Sequence, residues 1–320
     1  LKDAAAFEDL IEILGDAAAG TPPGAAVTGL RLDDESLAEG RLPDRTVLDR
    51  ASSDHPVLVV RYCGHIAVAN TRALEMAGIG PGTPDPEGGT IDRDDAGVPT
   101  GVLRETATEV VSGALSDVAP PLTPGQLVEA AGALASLGIA SIGGIIDVRE
   151  GCWAGAGSEL DVLIEAAADL PIRVGALVIA HTPQELRDAA ARLDRAGPMV
   201  RFLGLKAFAD GSLGGHTAAM HRPFADRPDA SGTHRLDPEW AHRMSTASLD
   251  LGGRIAIHAI GDAAVGRVLD VMEGLTDGGA DPAMLRVEHA SVLGPGDAAR
   301  LAHLGITAVV QPAFLASEHG

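Results

Sequence analysis

From residue 122 to residue 311 the chain alternates short apolar runs with longer amphipathic stretches. Thr123-Pro124-Gly125-Gln126 can cap a helix that runs to Leu137, where Gly138 ends it. The apolar run 139–146 then reads as a buried strand, followed by a helix near 157–169 and a strand over 172–179. Thr182 and Glu185 form a capping box with Pro183 at the first helical position, opening a helix to about Ala196. Strands follow at 200–208, 254–259, 285–289 and 306–311. The intervening helices are predicted from Asp237 to Leu251, from Asp262 onward, and from Pro295 to Leu304. Short buried strands separated by helices imply parallel βα units. Six such strands in unbroken series favour an α/β fold of the (β/α)8 barrel type over an open sheet.

The first part of the chain follows another rhythm. Residues 1–19 read as an amphipathic acidic helix, not a signal peptide. Residues 20–121 are rich in Gly, Pro and Asp, with a short strand at 57–61 and a helix near 71–77. They read as an insertion, or lid region, over the mouth of a barrel core spanning 122–320.

Composition narrows the choices. Aromatic residues are only 2%, so Ala, Gly, Val and Leu must pack the core. The formal charge of -21 disfavours nucleic acid and anionic membranes as partners, because no basic stripe is present to neutralise phosphates. Cys63 and Cys152 are far apart and lack any CxxC context, which fits a reducing, cytoplasmic location. No apolar run approaches the roughly 18 residues that span a bilayer.

The chain uses 22 arginines and only two lysines, Lys2 and Lys206. Lys206 lies near the end of a predicted strand, and His258 and His289 lie near the ends of the next two. In a parallel barrel the C-terminal ends of the strands form the rim that carries the active site. Imidazole nitrogen suits zinc and similar divalent ions. A lysine ammonium has no lone pair, but burial among cations favours its neutral amine. That amine can take up carbon dioxide and become a carbamate able to bridge two metals roughly 3.5–4 Å apart. Arginine stays protonated and cannot. A lone strand-end histidine is more often a hydrogen-bonded structural residue, and a lone lysine a surface charge; the joint placement of the three carries the inference.

Other motifs weigh less. Asp210 and Gly211, in the Gly-rich stretch after Lys206, could contact substrate, although the same stretch suits an ordinary turn. His65 could serve as a lid residue. The stretch 294–299 mimics a dinucleotide-binding loop, but Pro295 and Asp297 suit a helix entry. No GxSxG surrounds Ser212 or Ser291, which argues against a serine hydrolase.

Five stretches together resemble amidohydrolase family 3, the YtcJ-like metal-dependent amidohydrolases. They are GRLPDRTVLDRASSDHPVLVVRYCGHIAVANTRALEMAGI (40–79), TPDPEGGTIDRDDAGVPTGVLRETA (83–107), LKAFADGSLGGHTAAM (205–220), IAIHAIGDAAVGRVLD (255–270) and RVEHASVLGPGDAARLAHLGITAVVQPAF (286–314). The resemblance implies a TIM barrel with a small β-sandwich, and one or two divalent ions, zinc being expected. It places Lys206 at the family's bridging lysine, His258 and His289 at metal ligands, and His65 at a substrate-facing GH motif. His216, a further candidate for substrate contact, stands where relatives often carry Arg or Ser. The family's HxH pair does not occur in this chain, and its catalytic Asp is expected beyond Gly320. The expectation is therefore an internal fragment holding about strands 2 to 7, with little turnover of its own.

The resemblance implies hydrolysis of a non-peptide C–N bond in a small amide by a metal-activated water. A non-catalytic regulatory or binding barrel, or a related hydrolysis or deamination at the same site, stays open, as does a homo-oligomer.

Overall fold

The computed structural model describes residues 1, 3–86, 88–149 and 158–312. They fall into two units, one ending at Pro121 and one beginning at Leu122. Cys152 and the predicted helix start at 157 lie outside the described residues.

The first unit runs α1 (Phe7–Ala19), β1 (Val27–Leu32), α2 (Arg45–Ala51), β2 (Val57–Arg61), β3 (Ile66–Ala69), α3 (Thr71–Met76), β4 (Gly89–Arg93), β5 (Pro99–Glu105) and α4 (Thr106–Leu115). Its sheet has the order β1-β2-β3-β5-β4, with β1 and β2 parallel and the other pairs antiparallel. Val57, Val59, Ile66 and Val68 pack on one face with Phe7, Leu10 and Leu14 of α1 and Val47 and Leu48 of α2. Leu58, Ala67, Ala69 and Leu103 pack on the other with Ala73 and Leu74 of α3 and Val111 and Leu115 of α4. A strand covered on both faces needs apolar residues at every position, which explains the run Val57-Leu58-Val59-Val60. Helices α2 and α4 are additions to the sequence reading. Asp44 caps α2 by accepting from the Thr46 and Val47 amides. Helix α4 starts at Glu105 without a side-chain cap, so nothing in the sequence marks its beginning.

The second unit runs α5 (Pro124–Ser136), β6 (Ser141–Asp147), α6 (Glu159–Ala166), β7 (Arg173–Ile179), α7 (Pro183–Arg195), β8 (Val200–Phe208), α8 (Pro238–Asp250), β9 (Arg254–Ala259), α9 (Asp262–Asp277), β10 (Leu285–His289), α10 (Asp297–Leu304) and β11 (Thr307–Val309). The caps predicted at Thr123 and Thr182 both form, and each is a capping box. All five strand pairings are parallel, and the order β6 to β11 is sequential. A doubly wound sheet reverses direction at a switch point. This sheet never does, so right-handed crossovers bring every helix to the same face, as in the wall of a TIM barrel. The described strands form an open arc, not a closed barrel.

That helix-covered face holds the core. Leu186, Leu193, Met244, Val268, Leu269 and Met272 are fully buried there, each contributing roughly 1.5–3 kcal/mol. Side chains alternate along a strand. Ile255, Ile257 and Ala259 of β9 join the core, so Ala256 and His258 point to the opposite face. Leu285 and Val287 likewise leave Arg286 and Glu288 opposite.

Strand β8 breaks the alternation once. Val200 and Phe202 pack on the core, and so do Leu205 and Ala207. The parity changes at a bulge: Ala176 of β7 pairs with Phe202, but Leu177 pairs with Gly204, leaving Leu203 as the extra residue. Gly204 has φ 152°, and a Cβ there would lie 2.0 Å from the Arg254 carbonyl oxygen. Only glycine fits such an approach. Without the bulge Lys206 would point into the apolar core; with it Lys206 joins His258 on the inner face.

Candidate functional site

The buried ionisable residues of the second unit gather near the C-terminal ends of its strands. Asp147, Lys206, Asp210, His258 and Glu288 are all less than 9% exposed. Lys206 is level with Ala256, Phe208 with His258 and Glu288, and His289 with Ala259. The three predicted ligand positions therefore climb the rim as a staircase, not along one rung.

The rings of His258 and His289 are in edge contact, with centroids 4.7 Å apart and planes at 67°. His289 reaches this contact through a strained turn. Its φ is 75°, and the Ala290 amide donates to the Glu288 carbonyl at 3.1 Å, closing a three-residue turn of the uncommon positive-φ form. His289 Nδ1 lies 2.8 Å from Gln311 Oε1. His258 Nε2 lies 2.8 Å from the Gly211 carbonyl oxygen and 3.3 Å from Asp210 Oδ1. The Phe208 ring sits 5.4 Å from the His258 ring, and the Lys206 ammonium sits over Phe208 at 4.2 Å.

Electrostatics follow from this burial. Desolvation pushes Lys206 down to about 8, with Glu288 opposing the shift and Arg286 adding to it. Desolvation also pushes His258 well below its usual range; the Asp210 contact opposes this, and the Lys206 charge reinforces it. At neutral pH His258 is the neutral imidazole, the form that binds metals.

The remaining candidates are placed differently. Asp210 is fully buried and accepts three backbone amides, from Ala219, Ile260 and Gly261. Gly211 offers its carbonyl to His258. His216 turns to Asp226 at 2.8 Å and lies edge-on to Phe224. His65 belongs to the first unit, where its Nδ1 lies 2.9 Å from Glu105 Oε2 and its carbonyl accepts the Glu105 amide at 2.8 Å. Among the described residues no three His, Cys, Asp or Glu side chains are arranged to hold one metal ion. No helix among them is long and apolar enough to cross a membrane.

The sequence model of the Amidohydrolase family matches residues 1–320. The chain belongs to the amidohydrolase family. It is 34% identical over 277 residues to the putative amidohydrolase YtcJ of Bacillus subtilis, covering 85% of this chain and 50% of that protein. It is 27% identical over 319 residues to the N-substituted formamide deformylase of Arthrobacter pascens, covering 96% of this chain and 57% of the relative. Among solved structures, an uncharacterized metal-dependent hydrolase of Pyrococcus horikoshii superposes with a TM-score of 0.66 at 30% identity, over 99% of this chain and 59% of that one. The amidohydrolase chain thus spans about half to three-fifths of the length of these relatives.

Three buried acids of this amidohydrolase chain, Asp147, Glu105 and Glu288, escaped the sequence reading. Asp147 ends β6 as His289 ends β10, and its carboxylate accepts from the Arg149 amide at 2.8 Å and from the Arg149 guanidinium. The signal was available in a lone carboxylate closing an apolar run. Glu105 carried no such signal. Five non-glycine residues among those described have positive φ: Arg31, Glu105, His216, His289 and Ala290. Three of them are candidates or partner one, and Ala290 follows His289 directly. Strain of this kind, costing about 1–3 kcal/mol per residue, concentrates at functional sites.

Proposed function

We propose that the full-length protein is a metal-dependent hydrolase that cleaves the C–N bond of a small non-peptide amide, with an N-substituted formamide as the first substrate to try. The observation that carries this reading is the contact of two imidazoles on the inner rim of a parallel sheet, beside a buried lysine. The two rings lie in edge contact with centroids 4.7 Å apart, and imidazole nitrogen is a good ligand for zinc and similar ions. Their chemistry therefore fits a divalent ion, with zinc as the expected metal. Such an ion polarises a bound carbonyl and lowers the pKa of water toward 7.

The chain's own residues do the rest. His258 and His289 hold the ion. Lys206, brought to about 8, is partly the neutral amine at pH 8. That amine combines with carbon dioxide to give a carbamate and a proton, turning a repelled cation into an anionic ligand. Phe208 and the neighbouring apolar residues keep this corner dry. The deformylase relative supports the choice of substrate class.

The test is metal analysis of the full-length protein, joined to hydrolysis assays on a formamide and cyclic-amide panel with and without a chelator. We expect bound divalent metal and chelator-sensitive turnover, and a loss of both on Lys206→Arg, which keeps the charge but cannot form a carbamate. A metal-free protein with no turnover on any panel member would refute the reading. Unchanged ligand binding in Lys206→Arg would favour a non-catalytic barrel.

A further inference from the structure

We propose that Asp210 is a positioning residue for His258 and does not itself meet substrate. Oδ2 of the fully buried carboxylate accepts the Ala219 amide at 2.9 Å and the Gly261 amide at 2.8 Å. Oδ1 accepts the Ile260 amide at 3.0 Å and lies 3.3 Å from His258 Nε2. The next residue supplies a second oxygen: the Gly211 carbonyl is 2.8 Å from that same nitrogen. Carboxylate and carbonyl oxygens can only accept, so Nε2 must carry a hydrogen. The neutral ring then keeps its lone pair on Nδ1, and that nitrogen is the one able to bind a cation.

The same carboxylate fastens the backbone around the ring. It ties residue 219 of the long β8–α8 loop to the turn after β9. The Ala219 carbonyl then accepts the Ala263 and Ala264 amides at 3.1 and 3.3 Å, capping the start of α9 where Gly261 has no side chain to do so. A Cβ on Gly261 would lie 2.1 Å from the Ala219 oxygen, so the approach requires glycine. The buried acid thus reinforces, beside the Gly211 carbonyl, the Nε2–H tautomer of His258, and it fixes the seating of the adjacent loop. Polar groups behind a metal-binding imidazole commonly act this way.

The inference rests on His258 being a ligand, and the test separates the two. Histidine nitrogen NMR on the metal-free protein reads the tautomer directly, with His258 assigned by the signal lost in His258→Gln. The expected form is Nε2–H. In Asp210→Asn one acceptor becomes an N–H donor, which favours the Nδ1–H ring. Cobalt(II) affinity, followed by titration, should fall about 10- to 100-fold while a cooperative thermal transition is retained. An Nδ1–H ring in the wild-type protein would overturn the proposal, as would Asp210→Asn binding cobalt as tightly as wild type. If that variant does not fold, the same two readouts on Asp210→Ser decide. A wild-type Nε2–H ring that becomes Nδ1–H in Asp210→Asn, in a protein that binds no cobalt, supports the role of Asp210 and overturns only the metal reading.

Discussion

Replacing Lys206 by methionine is expected to stabilise the metal-free protein at neutral pH. The ammonium is 3% exposed, and burial lowers it from 10.5 to about 8. At roughly 1.4 kcal/mol per pH unit, that gap means the folded state carries a penalty of about 3 kcal/mol for holding the charge. Methionine removes it at similar length and shape. It also removes the cation over Phe208 at 4.2 Å, worth about 1 kcal/mol. The net gain is about 2 kcal/mol. The sign of the pH dependence follows from the proton count. Between about 8 and 10.5 the unfolded chain binds a proton that the folded chain does not, so wild-type stability from this group rises with pH across that window. The advantage of Lys206→Met should be complete below pH 8 and should shrink as pH climbs toward 10.5. Urea unfolding of both proteins at pH 6.5, 8 and 9.5, in chelator-treated buffer depleted of carbon dioxide, reads the difference. A variant less stable than wild type at pH 6.5, or a difference that does not change with pH, refutes the reasoning.

Two further substitutions check how the site is built. Gly204→Ala sets a Cβ 2.0 Å from the Arg254 carbonyl oxygen at φ 152°. It should cost on the order of 3 kcal/mol or more, and a melting temperature within a degree of wild type would show the bulge to be unneeded. Thr182→Ala removes the side chain that accepts the Glu185 amide at the start of α7. It should cost about 1 kcal/mol in urea unfolding, with Thr182→Ser retaining most of it.

The βα rhythm of the second unit was legible because its signals are local: capping boxes at Thr123 and Thr182, and apolar runs at strand spacing. Lys206, His258 and His289 stood out because each lies near the end of one of three consecutive predicted strands, and the structure joins the two imidazoles directly. The part of Asp210 was hidden. In sequence it is an acid opening a Gly-rich turn, and its partners lie 9 to 51 residues away, at Ala219, Ile260 and Gly261. Contacts between distant backbone amides and one carboxylate leave no periodicity to read. Helix α4 was hidden for a related reason, since it begins at a strained Glu105 with no capping side chain.

The orientation of Lys206 shows how a local irregularity decides chemistry. A period-two reading of β8 from Val200 puts every even residue on the core side, Lys206 included. An unpaired ammonium there would sit in the apolar core beneath α7 and α8 and would cost far more than the roughly 3 kcal/mol at its present site. One inserted residue turns the last part of the strand over, so that Leu205 and Ala207 take the core positions and Lys206 faces Glu288 and Phe208. The glycine that permits the insertion lies two residues before the lysine, with its backbone against Arg254 of β9, the strand that carries His258. The bulge therefore fixes both the face Lys206 adopts and its height relative to His258. A substitution that shifts the bulge should disturb metal binding even where every candidate ligand is intact.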